Sequence, residues 1–240
     1  MKMNFLRSGS GKPLLLVHGL GGSARSWSTI WPALAARRDV IAVDLPGFGE
    51  TPPLAGETTI RSLSNAVTAF IDAQGLRGVD VVGSSMGARQ PFMPVISRSK
   101  VARTMLLAQF SRRPWALDSE VVLDEMRSYA RAPAFDELLY QLAYGEEQEG
   151  AARGSIEAPL VIGWGRNDKV CFTSQAKRAL ALFPDARLHW FERCGHFPHW
   201  DAPQETVRLI LNTCARQIGA STAETPVAQS GILGAGAGAH

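Results

Sequence analysis

The sequence predicts an α/β fold in which a doubly wound, mostly parallel sheet carries helices on both faces. Short apolar runs without polar alternation recur along the chain, as in strands that are buried on both faces of a parallel sheet. Amphipathic helical patterns separate most of these runs, which is the order that parallel strands with crossover connections require. With 240 residues, 45% of them hydrophobic, the chain is long enough for one domain with a substantial core.

The first half of the chain follows this alternation closely. The predicted elements are an edge strand over 4–7, a buried strand over 13–17, a helix over 26–37, a strand over 40–43, a helix over 59–74 and a strand over 79–82. Apolar residues at i, i+3, i+4 and i+7 spacing indicate the two helices. Another helix is expected after residue 85, but Pro91 and Pro94 fall within it. Because an interior proline removes a hydrogen bond and clashes with a preceding carbonyl, we expect that helix to be kinked or short.

The second half contains a helical segment that no strand interrupts. A strand is predicted over 101–108, and the helical patterns between 111 and 157 predict a short lid over the C-terminal edge of the sheet, with an ordinary helical crossover as the alternative. Strands over 159–165 and 186–191 then flank a helix over 174–183. Asp201 is interpreted as the N-cap of the last helix, with Gln204 completing a capping box. The predicted organisation is a core of 1–110 and 158–218, a lid of 111–157 and a disordered tail of 219–240 that is rich in Ala and Gly.

Composition excludes several classes of partner. The net charge is +3 and the basic residues are dispersed, which argues against nucleic acid. The three cysteines are too few for a disulfide framework and lack metal-ligand spacing, so we expect a reducing compartment and no metal. No apolar run is long enough for a signal peptide or a membrane span. We therefore expect a cytoplasmic monomer or homodimer that acts on a small molecule, with no membrane or cofactor involved.

The segment 83–87 reads Gly-Ser-Ser-Met-Gly and follows an apolar strand. This is the pattern of a nucleophile elbow, in which a strand turns sharply into a helix and presents one serine, here Ser85. The helix N-terminus behind such a serine favours developing negative charge. Taken alone, the pentapeptide is equally compatible with a glycine-rich turn and a surface serine.

Other reactive groups follow other predicted strands, at the sheet edge where ligands bind in open α/β sheets. Asp168 follows the strand over 159–165, and His196 follows the last strand. A serine nucleophile needs a base, for which His196 is suited, and Asp168 would accept the other ring N–H and fix the tautomer. The glycine-rich turn over 18–22 follows the first buried strand. The backbone N–H groups of Leu20 and Met86 are therefore the expected oxyanion donors.

Each assignment has an alternative. Asp168 has the sequence context of a turn aspartate, and Asp118 and Asp124 are weaker rivals for the acid role. Among the histidines, His199 lies close to His196 in sequence, whereas a structural role is expected for His18 and His189. The expected substrate contacts are Phe110, Trp115 and Phe197.

Five motifs together resemble the α/β-hydrolase superfamily. They are His-Gly-Leu-Gly-Gly over 18–22, Asp-Leu-Pro-Gly-Phe-Gly over 44–49, Gly-Ser-Ser-Met-Gly over 83–87, Gly-Arg-Asn-Asp over 165–168 and Cys-Gly-His over 194–196. The resemblance implies the α/β-hydrolase fold with a helical lid, and a cofactor-free mechanism through an acyl-enzyme.

Within the superfamily, two groups are similar to different parts of the chain. The turn over 44–49 is similar to serine carboxylesterases, including pimeloyl-carrier-protein methyl esterases, and the segment 185–200 resembles meta-cleavage-product hydrolases, which cut C–C bonds. The latter usually carry Gly-Pro-Gly in the oxyanion turn, where this chain has Gly21-Gly22-Ser23. We therefore expect a carboxylesterase for small to medium acyl groups. The alternatives are a C–C bond hydrolase and a ligand-binding protein with little turnover.

Overall fold

The computed structural model describes residues 2–84, 107–146 and 149–221, with side chains to residue 215. Its strands form two sheets. One has the order β1-β3-β2-β4, and the other pairs β5 with β6. The strands are β1 (Phe5–Ser8), β2 (Pro13–Val17), β3 (Asp39–Val43), β4 (Asp80–Gly83), β5 (Val161–Gly165) and β6 (Arg187–Phe191).

All described strand pairs are parallel except β1 with β3, and β1 lies at the edge. The α-helices are α1 (Trp31–Ala35), α2 (Ile60–Ala73), α3 (Ser119–Ala130), α4 (Phe135–Tyr144), α5 (Thr173–Leu182), α6 (Pro198–Asp201) and α7 (Pro203–Ser221). Two 3₁₀ helices span Ala24–Trp27 and Pro114–Ala116. This mostly parallel sheet with helices confirms the predicted fold class. None of the described helices is long and apolar enough to cross a lipid bilayer.

The sheet is covered on two faces because successive side chains of β2 and β3 point in opposite directions. Leu15 and Ile41 pack on one side, in a cluster that includes Phe70 of α2. Leu14 and Leu16 pack on the other side, in a cluster with residues of the first 3₁₀ helix, α1 and α7. Because both faces of β2 and β3 are buried, every residue of these strands must tolerate burial, which explains their continuous apolar sequence.

One of the two helices predicted for the first half differs from its expectation. The helix predicted over 26–37 is broken into the 3₁₀ helix Ala24–Trp27 and the short α1. Pro32 at the start of α1 lacks an N–H and cannot continue a hydrogen-bonded ladder from the preceding turn. By contrast, the helix predicted over 59–74 is confirmed as α2, where the Thr59 side chain caps the N-terminus by accepting from the Ser62 N–H.

Several expectations fall on residues outside the described ranges. They include the helix after residue 85, with Pro91 and Pro94, and most of the strand over 101–108. Of that strand only Leu107 and Ala108 are described, and they lie in a helical turn. A cavity of about 490 Å³ is lined by residues of β4, β5 and α7 and by His196.

The segment after residue 110 packs against two parts of the fold, the four-stranded sheet and the loop after β6. Tyr129 of α3 and Phe135 of α4 belong to the cluster that covers the four-stranded sheet. Val122 and Met126, on the same helix α3, pack in a third cluster with Phe197. The helices α3 and α4 therefore contact the turn over 18–22 and the loop after β6, which are the two predicted site segments.

Candidate active site

Asp168 lies in the turn that follows β5. Its Oδ1 accepts hydrogen bonds from the backbone N–H groups of Val170 and Cys171, at 2.8 and 2.9 Å. Its Oδ2 lies 2.8 Å from Nδ1 of His196. The sequence left open whether Asp168 is a turn aspartate or the partner of a histidine. It is both, because Oδ1 accepts from the backbone of its turn and Oδ2 contacts His196.

His196 follows β6 in a loop that is hydrogen-bonded to the segment before α3. Its backbone N–H donates to the carbonyl oxygen of Phe110 at 2.6 Å. The side chains of His196 and Asp168 are 2% and 5% exposed. Since Nδ1–H donates to Asp168, Nε2 is the atom left to act as a base, and it is buried without a partner among the described residues.

The electrostatic environment makes His196 more basic than an ordinary histidine. Burial lowers the pKa of its imidazole. The hydrogen bonds that His196 makes with Asp168 and with the side chain of Cys171, together with the negative charge of Asp168, outweigh burial and raise the pKa to about 9. One ligand atom from each of Asp168, Cys171 and His196 lies within 4.8 Å of the other two, so these three side chains are also suited to hold a metal ion.

Asp201 holds the histidine loop, which is a role that the sequence did not indicate. Its buried carboxylate accepts from the Ser111 hydroxyl at 2.5 Å, the Arg112 N–H at 2.7 Å and the Gly195 N–H at 2.8 Å. The interpretation of Asp201 as the N-cap of α7 is therefore wrong. Its carboxylate is used in long-range hydrogen bonds, and α7 begins only at Pro203.

The other three histidines of the described residues lie in different surroundings. His199 is fully buried, and burial lowers the pKa of its imidazole to about 3, with a smaller effect of the neighbouring His196 charge. Nε2 of His189 lies 2.9 Å from a carboxylate oxygen of Glu205. His18 donates from Nδ1 to the Gly19 carbonyl at 2.7 Å and accepts at Nε2 from the Leu45 N–H at 3.0 Å. Neither His189 nor His199 contacts Asp168, so His196 is the described histidine that pairs with this carboxylate.

The rival aspartates also have other roles. The Asp118 side chain accepts from backbone N–H groups in the first turn of α3 and is the N-cap of that helix. Asp124 is exposed and lies 3.5 Å from Arg127 on the same helix. Of the three candidate aspartates, Asp168 is therefore the one whose carboxylate contacts a histidine.

The turn over 18–22 is closed by the Gly22 N–H, which donates to the Gly19 carbonyl at 3.1 Å. Gly21 has a φ of 79°, and a Cβ there would collide with the Tyr129 ring, so glycine is required. Beyond the turn, the Ala24 N–H donates to the Asp44 carboxylate at 2.7 Å. Within the described residues, the N–H of Leu20 has no acceptor. The role of this N–H as an oxyanion donor stays a prediction.

The predicted nucleophile Ser85 and the second oxyanion donor Met86 lie outside the described residues. The chain that leads to them is described. Parallel pairing sets Gly83 opposite Val17, and the Ser84 N–H donates to the Val17 carbonyl at 3.0 Å. Ser84 therefore lies at the same end of the sheet as the turn over 18–22.

The comparison with family models decides the family. The model of the alpha/beta hydrolase family matches residues 14–209, which include the three predicted triad positions. The chain belongs to the alpha/beta hydrolase family. This confirms the resemblance that the motifs indicated.

Relatives of this alpha/beta hydrolase include enzymes with different named substrates. A 2-hydroxy-6-oxononadienedioate/2-hydroxy-6-oxononatrienedioate hydrolase from Dechloromonas aromatica is 25% identical, with 88% of this chain and 90% of the relative covered. A crystal structure of a serine hydrolase involved in carbazole degradation matches with a TM-score of 0.73 and 20% identity, covering 89% of this chain and 95% of that one. A malate-bound thermophilic esterase from Thermogutta terrifontis matches with a TM-score of 0.71 and 17% identity, covering 89% and 93%. The two structures show that this hydrolase shares their fold.

Aromatic side chains flank the histidine of this hydrolase. Phe110 and Phe197 stack with ring centroids 5.7 Å apart, and the Phe197 centroid lies 4.9 Å from that of His196. Trp115 lies on the second 3₁₀ helix and is 51% exposed. Two of the three predicted substrate contacts therefore lie beside His196, and all three remain predictions.

Glu125 of α3 is a buried acid in this hydrolase that the sequence analysis did not find. Its Oε2 accepts from the Ser26 hydroxyl at 2.7 Å, and Ser26 Oγ accepts in turn from the Ser23 N–H at 3.0 Å. Burial raises the pKa of the Glu125 carboxyl to about 7. The helical pattern alone gave no sign of this contact, because Ser26 is 99 positions away.

Proposed function

We propose that the protein is a serine hydrolase that cleaves carboxylic esters of small to medium acyl groups through an acyl-enzyme. Ser85 is the nucleophile, His196 the general base and Asp168 the acid that orients it. The observation that carries this proposal is the buried hydrogen bond between Nδ1 of His196 and Oδ2 of Asp168. This bond fixes the tautomer in which Nε2 of the neutral imidazole carries the lone pair and points away from the carboxylate, as a base for a serine hydroxyl must do.

The reaction follows from these roles. Nε2 of His196 takes the Ser85 proton as Oγ attacks the ester carbonyl, and the backbone N–H groups of Leu20 and Met86 stabilise the oxyanion. The same proton then passes to the departing alkoxide, which leaves as the alcohol. Water, deprotonated by His196, attacks the acyl-enzyme and releases the carboxylic acid and free Ser85. Removal of one oxyanion donor from such a site costs about 3–4 kcal/mol of transition-state stabilisation.

The apolar surroundings of His196 favour an uncharged acyl group. Phe110 and Phe197 lie next to its ring, in a cluster with Val122 and Met126 of α3. Such side chains gain free energy by excluding water from an alkyl or aryl group. The segment 111–157, which carries α3 and α4, is proposed to act as the lid over this site.

Hydrolysis of a C–C bond is the second candidate. The relative from Dechloromonas aromatica, which is named for a dienedioate substrate, and the similarity of the segment 185–200 to meta-cleavage-product hydrolases favour it. Against it stands the turn Gly21-Gly22-Ser23, where those hydrolases usually carry Gly-Pro-Gly. Here the Ser23 side chain caps the first 3₁₀ helix by accepting from the Arg25 N–H, so this residue has a local structural role.

The test compares two neighbouring serines on two substrate classes. Ser85→Ala is expected to abolish turnover of p-nitrophenyl acetate, butyrate and octanoate, whereas Ser84→Ala retains it. Undiminished turnover by Ser85→Ala refutes the assignment. A 2-hydroxy-6-oxo-dienoate ring-cleavage product, assayed in parallel, separates ester from C–C hydrolysis by the ratio of kcat/KM values. Labelling of Ser85 by a fluorophosphonate without turnover of either substrate would favour the ligand-binding alternative.

A further inference from the structure

Cys171 brings a thiol to the Asp168–His196 pair. Its backbone N–H donates to Asp168 Oδ1 at 2.9 Å, and its side chain hydrogen-bonds His196. One ligand atom of each of these three residues lies within 4.8 Å of the other two. A thiolate, an imidazole and a carboxylate are the three side-chain ligands that Zn²⁺ prefers in proteins.

We propose that Asp168, Cys171 and His196 form an inhibitory binding site for Zn²⁺. The ion is a competitor of catalysis at this site and not a cofactor, because it takes the carboxylate and imidazole that the proposed hydrolysis needs. The inhibition rests on the proposed function, whereas the binding does not.

The distances fit a tetrahedral ion with small movements. Bond lengths of about 2.0–2.3 Å put the ligand atoms of a tetrahedral Zn²⁺ site roughly 3.3–3.8 Å apart. The contact of 2.8 Å between His196 and Asp168 must open by less than about 1 Å, and the other separations, all within 4.8 Å, must close by at most about 1.5 Å. Three protein ligands leave the fourth position to water, as in open zinc sites.

Access and selectivity follow from burial and ligand type. Asp168 and His196 are buried at their side chains, whereas Cys171 is partly exposed and provides the route by which an ion reaches them. Mg²⁺ and Ca²⁺ prefer oxygen ligands only and are not expected to bind a set with nitrogen and sulfur.

Binding is measured first without catalysis. Titration calorimetry of Zn²⁺ into metal-free, untagged Ser85→Ala protein is expected to show one site. Adding Cys171→Ala to this background removes a direct ligand, so the affinity should fall by more than the about 10- to 100-fold that outer-shell changes cost. Cys214→Ala is the matched control, because Cys214 is a buried thiol on α7 away from this site, and it should retain the affinity. Co²⁺ should give a thiolate charge-transfer absorption that Cys171→Ala abolishes.

Inhibition is measured second, relative to each variant's own metal-free rate. Zn²⁺ should inhibit ester turnover of the unmodified protein at concentrations that match the calorimetric Kd, and the inhibition should weaken in parallel with binding in Cys171→Ala. Absence of Zn²⁺ binding, or a Kd unchanged by Cys171→Ala, overturns the site. Full turnover by Ser85→Ala together with Cys171-dependent Zn²⁺ binding would instead overturn the proposed hydrolysis and leave the site standing.

Discussion

Nδ1 of His196 lies 2.8 Å from Oδ2 of Asp168, and the two residues come from loops after different strands of one sheet. The other carboxylate oxygen of Asp168 accepts two backbone N–H groups of its own turn, from Val170 and Cys171. With both oxygens engaged, the carboxylate has little freedom to rotate away from the imidazole. The orientation of His196 is therefore set by the turn after β5 as much as by its own loop.

Replacing Asp168 by Asn is expected to lower kcat and to shift the pH dependence of kcat/KM to lower pH. In the unmodified protein the base must be neutral, so kcat/KM should rise with pH along a limb with its midpoint near the pKa of about 9. Asp168→Asn removes the charge that raises this pKa, which moves the limb to lower pH. It also lets the amide favour the wrong imidazole tautomer, so kcat should fall by about 10⁴.

The pH–rate profiles of ester hydrolysis test this prediction. Glu205→Gln, which removes the carboxylate partner of His189, is the control and should leave the limb in place. A limb near pH 6.5 in the unmodified protein would contradict the assigned coupling between Asp168 and His196.

Gly195→Ala should reduce activity by displacing His196. A Cβ at this position would lie 2.5 Å from the carbonyl oxygen of Phe110, which also accepts the His196 N–H, so the loop has to move. A shift of about 1 Å at a catalytic group costs on the order of 100-fold in rate. Gly56→Ala is the control, since a Cβ there meets open space. Steady-state kinetics and circular dichroism of both variants distinguish displacement from unfolding, and equal kcat values would contradict the prediction.

Asp201→Asn should destabilise the fold and slow catalysis together. The buried carboxylate accepts from Ser111, Arg112 and Gly195, and an amide offers only one accepting oxygen. Because hydrogen bonds to a charged group contribute about 1.5–3 kcal/mol each, the free energy of unfolding should fall by about 3 kcal/mol. Urea denaturation measures it, with Asp72→Asn on the exposed face of α2 as the control. A stability equal to that of the control would show that the hydrogen bonds of Asp201 contribute little.

Glu125→Gln should remove a pH dependence of stability. The pKa of the buried Glu125 carboxyl is raised from 4.5 to about 7, so its contribution to stability is present below pH 4.5 and is lost as the pH rises through 7. The unmodified protein should lose up to about 3 kcal/mol through this group between pH 5 and pH 8, and the variant should not. Urea unfolding at both pH values measures the difference. Glu120→Gln, on the exposed part of the same helix, should retain the loss.

Patterns within short stretches predicted the regular elements well. The apolar run over 13–17 became β2, and the helical spacing over 59–74 became α2 with its Thr59 cap. Local reasoning failed where a proline or a distant partner decided the outcome. Pro32 splits the helix predicted over 26–37, and Asp201 bonds to residues about 90 positions away instead of capping α7.

The sequence by itself determined the alternation of strands and helices, the family motifs and the likeness of Asp168 and His196 to a catalytic pair, because periodicity and strand ends are local properties. Only the tertiary structure decided that Asp168, and not Asp118 or Asp124, contacts His196, and that Cys171, Asp201 and Glu125 lie beside the site segments. Hydrogen-bond partners across 28 to 99 positions depend on how whole elements pack, which no short window of sequence contains.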